Sequence, residues 1–289
     1  MRFEISHTTD YHYEQPASEA YVEARLTPVS RPGQQVLSHE VVFDPGAPVS
    51  VYEDYFGNLT SFYSMVKRHE RLRVVNRMVV ETSEVERPAV ALELTVGEAR
   101  QIFSSMTTDV FDYLRPSVAV TTGGEATTWA RKWLPADVAL GEGLAALNEA
   151  IFCGFKYEPG VTDNWTPLDT IWKKKKGVCQ DFAHVMIAVL RTSGLPARYV
   201  CGYIETDPPA DGSSLVGAVA THAWVEVMLP GGSWSALDPT NRQWSGERHV
   251  AVSFGRDFAD ATPVRGTFKG SGGQKMSVKV RMKRIEGRP

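Results

Sequence analysis

From residue 1 to 83 the chain runs in short segments rich in Val, Tyr, Phe and Thr, broken by Pro32-Gly33, Asp44-Pro45-Gly46 and Phe56-Gly57-Asn58. Branched and aromatic side chains suit a pleated, half-buried surface, and the Gly, Pro, Asn and Asp clusters suit the turns between strands. The runs 36–43 and 73–81 carry this signal most strongly. Such spacing predicts an N-terminal antiparallel β-sandwich-like domain over residues 1–83. Residues 84–125 are less regular and read as a connection, closed by the turn-like Thr121-Thr122-Gly123-Gly124.

After that turn the period becomes helical. Helices are predicted at 125–134, 142–153, 168–174 and, most clearly, 179–193, where Phe182, Val185, Met186, Val189 and Leu190 form a stripe at spacings of three and four. Gly194 followed by Pro196 stops that helix. Strand patterning returns at 197–205, 221–229, 233–238 and 277–285. Helices first and strands afterwards predict an α+β domain over residues 126–289. In the last strand Val278, Val280 and Met282 alternate with Lys279, Arg281 and Lys283, predicting an inward apolar face and an outward basic one.

The 289 residues leave room for two ordinary domains, and a composition 43% hydrophobic and 22% charged is that of a globular protein. With 31 basic and 34 acidic side chains the net charge of -3 argues against nucleic-acid binding through a broadly basic surface. The basic residues after position 264 read as the exposed face of the last strand, so no nucleic-acid partner is expected. No apolar span of about 18 residues occurs, and the opening stretch lacks the apolar run of a signal peptide. No membrane partner is therefore expected, and a cytoplasmic location is. Three cysteines make no dense disulfide framework, which fits a reducing compartment. They also lack a CxxC pair, and no compact acidic loop is present, so the sequence predicts no metal and no cofactor. Nothing in it sets an oligomeric state.

Three residues could carry chemistry. Cys179 stands at the predicted start of the longest helix, after Gly177-Val178, where free N–H groups and the positive helix end favour a thiolate. It could equally be a small buried packing residue, the role expected for Cys153 and Cys201. His222 opens the alternating run Thr221–Val227, which places it with Trp224 and Glu226 on one strand face and leaves Ala223, Val225 and Val227 for the core. An imidazole there could be a general base or a structural histidine. Asp238 ends the next strand before Pro239, and a hairpin across Pro230-Gly231-Gly232 would bring it near His222. A carboxylate beside an imidazole fixes its tautomer, although an Asp-Pro pair also simply ends strands.

The combined string is more specific than its parts. Gly177-Val178-Cys179-Gln180-Asp181-Phe182-Ala183, the run 193–198 with Gly202-Tyr203, His222-Ala223-Trp224 and Asp238-Pro239-Thr240 together resemble the bacterial transglutaminase-like superfamily. Phe155-Lys156-Tyr157 with Gly160 and Thr162 resembles that family's upstream motif, and Gly255-Arg256-Asp257-Phe258 with Pro263-Val264 its downstream one. The strand-rich start resembles its bacterial N-terminal domain.

The resemblance implies a papain-like α+β core with a helix-borne cysteine packed on an antiparallel sheet. It implies Cys179 as nucleophile, His222 as base and then acid, and Asp238 as orienter. The Cys179 N–H would be the first oxyanion donor, with Tyr157 and Trp165 as candidates for the second and Gln180 as a substrate contact in the first helical turn. Asp181 reads as a first-turn acid, and Arg256 and Asp257 as mutual partners or substrate contacts. The implied enzyme is a cysteine-dependent amide or peptide-bond hydrolase or acyltransferase, acting on peptide or protein substrates through a thioester. The alternative is a noncatalytic peptide-binding or scaffolding protein that keeps the fold.

Overall fold

The computed structural model describes residues 1–106, 108, 110–205 and 221–285. Six strands come first: β1 (Arg2–Ala17), β2 (Glu19–Thr27), β3 (Gln34–Asp44), β4 (Val49–Glu53), β5 (Leu59–Met65) and β6 (His69–Thr82). Helices α1 (Ala89–Glu93), α2 (Val96–Ser105), α3 (Phe111–Leu114), α4 (Glu125–Trp133) and α5 (Leu140–Gly154) follow. Then come β7 (Lys156–Tyr157), α6 (Leu168–Lys174), β8 (Lys176–Gly177) and α7 (Cys179–Thr192). The chain continues through β9 (Ala197–Ile204), β10 (His222–Met228), β11 (Trp234–Asp238), β12 (Gln243–Trp244) and β13 (His249–Gly255). It ends with α8 (Phe258–Ala261), β14 (Val264–Lys269) and β15 (Gln274–Arg284).

Two four-stranded antiparallel sheets, ordered β15-β1-β6-β3 and β14-β2-β5-β4, form a sandwich. Tyr11, Val22, Leu26, Tyr63, Leu72 and Val74 fill the space between them. The long strand β1 serves two cores with one alternation. Tyr11 and Tyr13 face the second sheet, while Phe3 and Ile5, one half-strand earlier, join Met78, Val80 and Met282 against Tyr203 of β9 and Val250 and Val252 of β13. The sandwich is thereby cemented to the rest of the protein by apolar burial.

The remaining sheet, β12-β11-β10-β9-β13, is wholly antiparallel. Helix α7 lies on it, and almost every residue of that helix is buried. Its stripe residues Phe182, Val185, Met186, Val189 and Leu190 share a core with Ala223, Val225 and Val227 of β10, so the two predicted apolar faces meet. The α+β class, with a helix that begins at Cys179 packed on an antiparallel sheet behind an N-terminal β-domain, is as the sequence implied.

Four local expectations need correction. Residues 84–125 are more than a connection, because they carry α1 to α3. Thr95 and Glu98 make a reciprocal cap on α2, which sends Val96, Ala99 and Phe103 into the core beneath α7. The stretch 126–289 does not stay together: β14 pairs with β2, and β15 pairs with β1, so both final strands complete the N-terminal sandwich. Along β15 only Met282 is buried; Val280 is half-buried, and Val278 is exposed because it faces a cleft instead of a core. Finally, Cys201 is buried as expected, but Cys153 is exposed, with its thiol on Glu149 at 3.2 Å.

Candidate active site

Cys179 is the first residue of α7, and the approach to it is built by Gly177 and Asp181. The Asp181 carboxylate folds back over the helix start, accepting the Val178 N–H at 2.8 Å and the Thr162 hydroxyl at 2.7 Å. A Cβ on residue 177 would lie 2.4 Å from that carboxylate, so only glycine leaves room for this cap. Asp181 is buried, and the burial raises its carboxyl above the ordinary range. Tyr157 is held beside Gly177 by the short parallel pairing of β7 and β8. The N–H groups of the first turn of α7, lacking intrahelical acceptors, are the positive end under which the thiol sits.

His222 and Asp238 arrive from the facing hairpin. Strands β10 and β11 pair through Val225–Leu237 and Val227–Ser235, and the connecting turn closes with the Leu229 N–H donating to the Ser233 carbonyl at 2.8 Å. The predicted hairpin therefore forms, and the His222 Nε2 to Asp238 Oδ2 separation is 2.8 Å. Both side chains are wholly buried. Opposite His222 in the ladder is Gly202, where a Cβ would meet the Trp224 ring at 2.6 Å and the Val250 carbonyl oxygen at 2.1 Å. Glycine here allows β13 and Trp224 to close behind the imidazole.

Asp238 is held by more donors than the sequence suggested. Besides His222, Oδ2 accepts the Asn241 amide at 2.7 Å and His249 Nε2 at 3.2 Å, and Oδ1 accepts the Thr240 N–H at 3.0 Å and the Asn241 N–H at 3.2 Å. Burial alone would destabilise this carboxylate, but the His222 charge and hydrogen bond, with His249 behind them, hold its pKa far below the usual range. The reciprocal effect falls on His222: burial opposes the charged ring, and Asp238, followed by Cys179, overrides it and pushes the imidazole up to about 10. With Nε2 taken by Asp238, the other nitrogen, Nδ1, is the one left for Cys179, whose side chain also helps to raise the ring. Cys179 and His222 line one pocket.

His249 and Asn241 were not visible as site residues in the sequence. The signal for His249 was the run His249-Val250-Ala251-Val252-Ser253, which marks a strand, and every residue of that strand is buried. His249 is buried, which keeps its pKa down and its ring neutral. Donation from Nε2 to Asp238 leaves Nδ1 as the acceptor, which takes the Gly246 N–H at 3.4 Å. His222, Asp238 and His249 place one donor atom each within 4.8 Å of one another. Both Nε2 atoms must carry protons toward the carboxylate, so this set serves as a hydrogen-bond relay; an ion there would have to displace both protons.

The other predicted residues divide. Tyr157 and Gln180 line the pocket with Cys179; burial pushes the Tyr157 phenol up to about 12, and the Gln180 amide donates to the Asn164 carbonyl at 3.0 Å. Trp165 is 62% exposed, packs edge-on against Phe258 with centroids 6.2 Å apart, and is outside that lining. Asn164, the residue before it, takes the place in the wall. Arg256 and Asp257 are not mutual partners: Arg256 binds Asp260 at 2.8 Å, while Asp257 caps α8 through the Ala259 N–H and accepts the Ala119 N–H. His184 accepts the Phe258 N–H at 3.2 Å, docking this segment on α7; burial pushes its pKa down to about 4, so the ring keeps the lone pair that bond requires.

A thiol at the head of a buried helix, facing a histidine–aspartate pair on an antiparallel sheet, defines the transglutaminase-like cysteine protease fold. The comparisons agree. Residues 3–81 match the bacterial transglutaminase-like N-terminal region, and residues 124–239 match the transglutaminase-like superfamily. An uncharacterized protein of Mycobacterium tuberculosis strain H37Rv is 34% identical over 279 residues, spanning 92% of this chain and 87% of its own. A protein-glutamine gamma-glutamyltransferase of Pseudomonas aeruginosa is 40% identical over 103 residues, 33% of this chain and 15% of that one. A solved structure from Cytophaga hutchinsonii, described as a candidate cysteine protease, superposes with a TM-score of 0.75 at 21% identity, covering 100% of this chain and 93% of that one. The chain belongs to the transglutaminase-like superfamily.

Proposed function

We propose that this protein is a cysteine-dependent amide or peptide-bond hydrolase or acyltransferase that works through a thioester on Cys179, on peptide or protein substrates in the cytoplasm. The single observation that carries this reading is the buried His222–Asp238 pair, 2.8 Å apart, in the same pocket as Cys179 at the head of α7. With the imidazole pushed up to about 10, His222 holds a proton near neutral pH, and in this reading that proton is the one the Cys179 sulfur gives up in order to attack.

In this reading the Cys179 sulfur adds to the amide carbon and the carbonyl pair moves onto oxygen, toward the Cys179 N–H. Tyr157, kept protonated by burial, is the proposed second donor. Collapse breaks the C–N bond as the His222 imidazolium gives its proton to the departing nitrogen. The neutral imidazole then takes a proton from water or from an amine, which attacks the thioester and releases acid or a new amide. Asp238, fixed by its donors, holds the ring orientation through both halves.

The test is to incubate the full chain with peptide amides, with and without a primary amine, and follow thioester, acid and amine adduct by mass spectrometry. The reading expects a thioester on Cys179 that Cys179→Ala abolishes while the variant stays folded. Turnover that survives Cys179→Ala would overturn it, and the ratio of adduct to acid would separate transamidation from hydrolysis.

A further inference from the structure

The pocket in front of Cys179 is built by both domains. One side is the core, with Tyr157, Cys179, Gln180 and His222. The opposite side comes from His7 and Thr9 of β1 and from Val264, Met276 and Val278 of the two final strands. The cleft between them has a volume of about 590 Å³, within the range of sites that take a small ligand or a few residues of a peptide.

Three features of the second wall point to its use. Met276 and Val278 are 57% and 39% exposed, two apolar side chains on β15 that join none of the buried core clusters and instead border the reactive thiol. His7 and Thr9 are buried polar groups that satisfy each other: His7 Nε2 lies 3.1 Å from Thr9 Oγ1, and Nδ1 lies 2.9 Å from the Tyr203 hydroxyl. Burial pushes His7 down to about 4, so its ring is uncharged near neutral pH. Among the described residues, the lining contains no Asp, Glu, Lys or Arg. A charged substrate group entering this space would lose water and find no counter-ion on the β1 and β15 side, the His222 imidazolium on the other side being already paired with Asp238, whereas an apolar one would cover Met276 and Val278.

Resting on the reading proposed above, we infer that strands β1 and β15 form an acyl-donor recognition wall, selecting an uncharged peptide segment with an apolar side chain beside the reacting carbonyl. The N-terminal sandwich, completed by the chain's last two strands, would thus be part of the substrate site.

The test uses the full chain and three peptidyl chloromethyl ketones that differ only in the residue before the warhead: leucine, glutamate or lysine. Attack by the Cys179 sulfur forms a thioether and expels chloride, so no turnover is needed. Each rate is divided by the rate with iodoacetamide, which is too small to need the wall. The leucine probe should react at least about tenfold faster than either charged probe, and Val278→Glu should reverse the preference in favour of lysine. Met276→Lys, at a second exposed position, should do the same for glutamate. Three equal normalised rates, unaltered by both substitutions, would overturn the recognition wall while leaving the nucleophile intact. A Cys179 that resists iodoacetamide as well would overturn the catalytic reading itself, and the wall with it.

Discussion

His249 Nε2 lies 3.2 Å from Asp238 Oδ2, so the carboxylate that faces His222 is also held from behind by a second, neutral imidazole. The donor set around Asp238 fixes both oxygens at once. An anion so held cannot swing toward or away from the ring it orients.

Removing that charge should be the most damaging conservative change. Asp238→Asn keeps the volume but presents an amide that cannot match all the donors now aimed at the carboxylate, and it withdraws the charge that raises His222. Thioester formation should fall by roughly 10³-fold or more, the order seen when a triad carboxylate becomes an amide. A rate within a few-fold of the parent would show that Asp238 only ends its strand.

His249 acts on His222 only through Asp238, so it is a positioning residue. In His249→Ala one of the donors is lost and a small space opens beside Trp224, whose ring is 5.2 Å from that of His249. The expected effect is a drop in kcat of roughly 10- to 100-fold with KM nearly unchanged, since one hydrogen bond to a charged group is worth about 1.5–3 kcal/mol. His249→Gln, which can supply an N–H to the carboxylate, should restore most of it. Equal losses in both variants, with a raised KM, would point to packing instead of orientation.

The cap over Cys179 makes a stability prediction. In Gly177→Ala the new methyl group meets the Asp181 carboxylate, which must leave Val178 N–H and the Thr162 hydroxyl. Asp181→Ala reaches the same end by deletion. Each should cost about 1–2 kcal/mol in denaturant unfolding, because two partly buried donors lose their acceptor, and the double variant should cost little more than either alone. Additive losses would show that the two residues do not form one unit.

Much of this was legible because local pattern and packing agree. The α7 stripe and the alternation in β10 each marked an apolar face, and those faces are partners. The Thr95–Glu98 cap of α2 was also present in the sequence, as Thr followed three residues later by Glu, inside a stretch too irregular to read as helical. What local pattern could not carry was long-range pairing. Nothing in 264–284 says that these strands return to β2 and β1, because alternation describes a face and not a neighbour. Val278 shows the cost: its apolar character was read as core, while it borders a cleft that exists only once the two domains are assembled. Trp165 shows the same limit, since a one-residue difference along a loop puts Asn164 beside Cys179 and Trp165 in the adjoining cleft with Phe258 and Met276.

The raised His222 pKa has a definite sign in pH titrations. An unfolded histidine loses its proton near 6.5, and the folded one near 10, so this group's contribution to stability is fully present below 6.5 and is lost as the pH rises through 10. The Cys179→Ala background removes the neighbouring thiol, leaving Asp238 as the dominant partner. In that variant, thermal stability should decline between pH 6.5 and 10, and adding His222→Gln should flatten that decline. Asp238, held low, works the other way: its contribution persists above the ordinary carboxyl range and is lost only in strong acid. A Cys179→Ala chain whose melting temperature stays level to pH 10, with or without His222, would mean that the ring is neutral in the folded protein. His222 would then have to act first as a base, and the thiolate would form only as substrate binds.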